Sequence, residues 1–142
     1  MDRTVYIEIA GKQYPMRFSV GASIAITKKY GSLQNMANNL KRGDDVDEEK
    51  AFETIIWMAE VLIRQGCAYK NLFEPDLPLP ENAPVKDGKY IPITAEDLEI
   101  ALDMADMGEI TQKIFAAIGS GNKKEIHAKE KETGKKNGKE AM

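Results

Sequence analysis

Val5, Ile7 and Ile9 alternate with polar or aromatic neighbours, and Tyr14, Met16 and Phe18 repeat the alternation a few positions on. A period of two is that of a strand with one face on a core. After Ala10, Gly11-Lys12 suits a two-residue turn, with glycine supplying a positive φ. The pattern therefore predicts a β-hairpin from about Thr4 to Phe18. Pro15 donates no hydrogen bond, so the second strand should be short or lie at an edge.

Beyond Phe18 the spacing becomes helical. Ser19 is placed to cap a helix that runs to Tyr30 and ends at Gly31, and Ser32 to cap a short helix through Leu33, Met36, Ala37 and Leu40. Gly43-Asp44-Asp45 reads as a turn. Asp47 then opens the longest helix, expected from about Glu48 to Gln65 with Gly66 at its end. Phe52, Ile55, Ile56, Ala59, Leu62 and Ile63 form one stripe on it, while Trp57, Met58 and Val61 lie outside that stripe. Only the sector of Glu53, Glu60 and Arg64 is clearly polar. Such a helix is expected to be covered on two sides, inside the domain or between subunits.

Prolines at 75, 78, 80 and 84 make the stretch from Asn71 to Tyr90 an extended connection. Thr94 is the expected N-cap of a helix reaching about Met107, with acids in its first turn. Gly108 should interrupt it. A last helix from Glu109 to Ile118 carries the stripe Ile110, Ile114, Ala117 and Ile118, and Gly119-Ser120-Gly121-Asn122 should stop it. The fold class is thus mainly α, of α+β type: an N-terminal β-hairpin followed by about five α-helices. The expected division is a single domain over 1–121 and a disordered, charged tail over 122–142.

The length of 142 residues suits one domain plus a tail. The lone cysteine, Cys67, rules out an intramolecular disulfide and fits a reducing compartment. No apolar run approaches the roughly 20 residues of a membrane span, and the first residues lack a signal-peptide pattern. A cytoplasmic location is therefore expected. The net charge of −3 is uneven: residues 123–142 carry seven Lys and four Glu, which leaves −6 on the remainder. An acidic body is a poor nucleic-acid surface.

Residues suited to catalysis are sparse. The only histidine, His127, falls in the tail, where no partner can be held within hydrogen-bond reach. Cys67 reads as small buried filler. No Cys/His pair has zinc-ligand spacing, and the acids from Asp44 to Glu49 lack the pattern of a calcium loop. Gly119-Ser120-Gly121 is not followed by the residues of a phosphate loop. Neither catalysis, cofactor nor metal is expected. Glu96, Glu99, Asp103 and Asp106 would share one helix face, either solvated or docking a basic partner. Ile100, Met104 and Met107 would form an apolar flank able to pack on the hairpin or take a partner helix.

The segment Tyr6-Ile7-Glu8-Ile9-Ala10-Gly11-Lys12-Gln13-Tyr14, followed by Met16-Arg17-Phe18, resembles the opening of small tail assembly chaperones of long-tailed bacteriophages and prophages. Ala25 to Leu33, with its Lys29-Tyr30-Gly31-Ser32-Leu33 junction, is similar to the same family, as are the apolar helix around Ile55-Ile56-Trp57-Met58 and the helix start Ile93-Thr94-Ala95-Glu96-Asp97-Leu98. The resemblance implies a chaperone that keeps the tape measure protein soluble, recruits tail tube subunits and is absent from the mature virion. It also implies a host-cytoplasmic protein, a tendency to homo-oligomerise and, in many members, a longer frameshifted form. The A-rich coding expected for Gly134-Lys135-Lys136 would suit such a shift. No nucleic-acid or membrane partner is implied. Trp57, Met58 and Val61 are the first candidates for client or subunit contact, against simple burial. The alternatives are a virion structural or connector protein of the tail and a small regulatory binding domain.

Overall fold

The computed structural model describes residues 2–40 and 47–122. The turn expected at Gly43-Asp44-Asp45, the tail and His127 lie outside these residues. Within them the chain is α+β. Strands β1 (Val5–Ile9) and β2 (Lys12–Met16) form an antiparallel hairpin, followed by α1 (Val20–Tyr30), α2 (Leu33–Asn38) and α3 (Glu48–Phe73). A second small hairpin, β3 (Val85–Lys86) with β4 (Lys89–Tyr90), leads to α4 (Ala95–Ala101). A single 3-10 turn (Met104–Asp106) joins α4 to α5 (Met107–Asn122).

The first turn is Ala10-Gly11, one residue earlier than the sequence suggests, because Lys12 pairs with Ile9. Both turn residues have positive φ, 51° at Ala10 and 81° at Gly11, which matches the twist of the flanking strands. Ile7 and Ile9 face the core and Val5 is half-buried at its margin.

The register places the backbone N–H groups of residues 13, 15 and 17 on the free edge of β2. Gln13 donates there to the Asn82 carbonyl (3.0 Å) and Arg17 to the Leu62 carbonyl (3.1 Å). Pro15, which has no N–H to satisfy, stands between them and lets α3 approach. The proline-containing loop covers the rest of the edge. Both sides of β2 are thereby occupied, which removes an exposed pairing edge.

α3 runs through the middle of the molecule, touching β2, α1, α4, β4 and α5. It continues two turns beyond Gly66 to Phe73, so Gly66 is not a helix end. That glycine is instead a point of close approach: a Cβ there would stand 2.1 Å from the Pro15 carbonyl oxygen. The expected stripe of Ile55, Ile56, Ala59, Leu62 and Ile63 is buried, and Phe52 is half-buried. Met58 (0 % exposed) and Val61 (2 %) are buried as well, on the second covered side of the helix.

Two further boundaries differ from the sequence reading. The helix begun at Thr94 ends at Ala101, because Leu102 adopts an extended backbone (φ −94°, ψ 133°) and starts the turn that precedes α5. Gly108 lies within α5 rather than between helices, and the helix passes through Gly119-Ser120-Gly121 to Asn122. Its stripe Ile110, Ile114, Ala117 and Ile118 packs into the core as expected. The connection after α3 contains the hairpin closed by Asp87-Gly88, with φ of 54° and 81°. No helix among the described residues is long and apolar enough to cross a membrane.

The helix starts follow the side chains that cap them. Ser19, Ser32, Asp47 and Thr94 each accept a backbone N–H of the first turn. One buried polar residue, Thr54, knits the helices together. Its hydroxyl donates to the Lys50 carbonyl (2.8 Å) and lies 3.2 Å from Asn39 Nδ2 and 3.5 Å from the Tyr30 hydroxyl.

Candidate functional site

Trp57 is half-buried in the first half of α3, facing away from the core stripe. Tyr30 at the end of α1 meets it edge to face, with ring centroids 5.4 Å apart and planes at 86°. The Lys29 ammonium lies 5.5 Å from the Trp57 ring and 5.7 Å from the Tyr30 ring, within cation–π reach of both. Ile56 and Ala95 contribute the apolar floor of a hollow of about 420 Å³, and Asn39, Lys50, Glu53, Thr54 and Glu99 also line it. An aromatic pair on an apolar floor with charges of both signs around it is the arrangement found at the energetic centre of protein interfaces.

A second concavity, of about 400 Å³, lies at the far end of α3. Phe18, Val20, Ala68, Tyr69, Leu72 and Phe73 supply its apolar wall. Val20 is 78 % exposed, Leu72 70 % and Phe73 69 %. Tyr69 and Phe73 meet at a tilt of 47° with ring centroids 5.2 Å apart, and the Arg17 guanidinium covers the Tyr69 ring at 3.7 Å. Arg3 lies on the same rim. Asp2, although partly buried, has its carboxyl held below the usual range. The Thr4 backbone and side chain bond it, and the charges of Lys70 and Arg17 add to that, together outweighing burial.

This groove is hidden in the sequence because Gly66 reads as the end of α3, which in fact continues to Phe73. The signal was present: from Cys67 to Phe73 there is neither proline nor glycine, and Tyr69 and Phe73 keep the helical spacing of Leu62.

The residues expected to contact partners are dispersed. Met58 and Val61 are interior packing and present nothing to a partner in this structure. Trp57 alone of that trio reaches the surface. Glu96 and Glu99 are exposed on α4, but Asp103 and Asp106 lie beyond its end, and the Asp103 N–H donates to Asp106 Oδ2 (2.8 Å). The four acids therefore do not share one helix face, since the extended backbone at Leu102 breaks the period. Ile100 is 82 % exposed and Met104 67 %, whereas Met107 packs against the core edge, so the expected apolar flank is divided.

Cys67 is buried filler, and burial pushes its thiol up to about 12. Among the described residues, no three His, Cys, Asp or Glu side chains are grouped to hold a metal ion. No family model matches the chain, and neither a curated protein nor a solved structure matches it.

Proposed function

We propose that this chain is a binding protein of phage tail morphogenesis, an assembly chaperone that keeps the tape measure protein soluble and presents it to tail tube subunits. The observation that carries the reading is the Trp57–Tyr30 hollow, whose aromatic pair, apolar floor and mixed charged rim suit the apolar face of a long helical client. The sequence resemblance around Lys29-Tyr30-Gly31 and Ile55-Ile56-Trp57 supports it, because those motifs contribute the two aromatic rings. Binding, not turnover, is the activity proposed. The host cytoplasm is the proposed site of action.

Co-expression with a tape measure protein tests this. The client is expected to become soluble and to co-purify with the tagged chain. Trp57→Ala removes the anchor without adding charge to a half-buried position, and should lower recovery of soluble client at least about tenfold, as loss of a central aromatic hot spot does. A client that stays insoluble, or that is solubilised equally by the folded Trp57→Ala variant, overturns the assignment.

A further inference from the structure

The two edges of the first hairpin differ. The outer edge of β2 is filled by the carbonyls of Asn82 and Leu62. On β1 the same register turns the N–H and C=O groups of Tyr6 and Glu8 outward, since these residues stand opposite Pro15 and Gln13. Thr4, at the start of that edge, gives its N–H to the Asp2 carboxylate (2.9 Å). The four backbone groups of Tyr6 and Glu8 have no hydrogen-bond partner among the described residues.

A groove of about 360 Å³ runs beside this edge. One wall is residues 7–10 of the hairpin, and the other is the junction of α4 and α5, with Ala101, Leu102 and Ile110 as its apolar surface. No residue of β2 lines it, so it lies on the side of β1 away from the partner strand. The charged side chains of the lining are Glu8, Asp106 and Glu109, all exposed, with no Lys or Arg beside them. None of the three is ion-paired among the described residues. Gln13 Nε2 donates to Glu8 Oε1 (3.3 Å) and the Asp103 N–H to Asp106 Oδ2 (2.8 Å), which leaves the second oxygen of each carboxylate for a ligand. Lys70, 5.5 Å from the Tyr6 ring, is paired with Glu74 (2.7 Å) and neutralised by it.

We propose that an extended segment of another protein, bearing Lys or Arg at alternate positions, binds here as a third strand on β1. Its backbone pairs with the N–H and C=O groups of Tyr6 and Glu8, a pairing that is blind to side-chain identity. The carboxylates select the charge. Side chains on its inner face lay their stems over Ala101, Leu102 and Ile110 and bring their cations to Asp106 and Glu109, while those on its outer face stand beside Glu8. A second copy is a poor occupant, because its own β1 would set another Glu8 against the same carboxylates, and like charges across a strand pair repel. This docking does not depend on the Trp57 hollow, which shares no residue with the groove.

Amide exchange followed by NMR on the full chain tests the docking. The probe is a seven-residue peptide of alternating Lys and Val, and the control is its counterpart with Glu in place of Lys. At saturation the Lys peptide should slow exchange of the Tyr6 and Glu8 amides at least about tenfold. Its affinity should fall as salt screens the carboxylates. Glu8→Gln combined with Glu109→Gln alters exposed side chains only and should lower that affinity about tenfold, with circular dichroism unchanged. A Lys peptide methylated at every backbone nitrogen keeps its charges but cannot pair, and should not bind.

No slowing at Tyr6 and Glu8 with millimolar Lys peptide overturns the proposal. So does equal binding of the Glu peptide or of the methylated peptide, or unchanged affinity in the doubly substituted variant. Tyr6 and Glu8 amides already protected in the free chain, whether by residues 123–142 or by a second copy, overturn it as well.

Discussion

Gly66 and Gly119 should respond to the same substitution with opposite signs. At Gly66 a new Cβ would meet the Pro15 carbonyl oxygen at 2.1 Å and the Met16 amide at 2.9 Å, backbone atoms that cannot swing aside. Gly66→Ala should therefore lower stability by about 3 kcal/mol. At Gly119, inside α5, nothing lies within 4 Å of the added carbon, and the helix gains what glycine costs it. Gly119→Ala should stabilise by about 0.5–1 kcal/mol. Urea midpoints with an unchanged slope would measure both. Cys67 and Lys70 add a pH dependence. Burial raises the Cys67 thiol from 9.0 to about 12, so the folded chain keeps a proton that the unfolded chain sheds. Its contribution is whole below pH 9.0 and is lost as pH rises toward about 12. For Lys70, burial alone would lower the ammonium, but the hydrogen bond with Glu74 (2.7 Å) and the nearby Tyr6 outweigh it and the net shift is upward. A raised folded-state value again means stability lost on the alkaline side. The melting temperature should fall through this range, and less steeply for Cys67→Ala.

Among the elements, α1 depends on a cap that serves two helices at once. The Ser19 hydroxyl accepts the Ala22 N–H (3.1 Å) and donates to Gln65 Oε1 on α3. Ser32 caps α2 through Asn35 alone (3.0 Å). Ser19→Ala should cost about 2 kcal/mol and Ser32→Ala about 1 kcal/mol or less, measured by thermal unfolding. These starts were legible because a capping residue acts within its own turn. The hairpin, the two stripes and the positions of Ser19, Ser32, Asp47 and Thr94 are local properties of the chain. The ends were not legible in the same way. Gly66 reads locally as a stop, but its lack of a side chain serves the approach of β2, which lies about fifty residues away in sequence. Asp103 and Asp106, the paired acids that mark the end of α4, keep helical spacing from Glu96 and Glu99 and so read in sequence as one more repeat. The Asp87-Gly88 turn signal was overshadowed by the prolines before it. Of the candidate contacts, Trp57, Ile100 and Met104 reach the surface, while Met58 and Val61 do not. Periodicity measures how much of a helix is covered; it does not name the neighbours that cover it.

At the scale of the whole molecule, α3 is about 39 Å of continuous helix, and β2, α1, α4, β4 and α5 pack directly on it. The side chains that α3 lends to its neighbours also set an order of events. Gln65 holds the Ser19 hydroxyl across 46 positions, and Glu60 holds the first N–H of α4 across 35. Neither bond can form until the turns of α3 that carry Gln65 and Glu60 exist, and closing such long loops is the slow part of folding. Leu62→Ala, in the middle of α3, should slow refolding, whereas Ser19→Ala should chiefly speed unfolding; the two arms of a denaturant chevron would separate the effects.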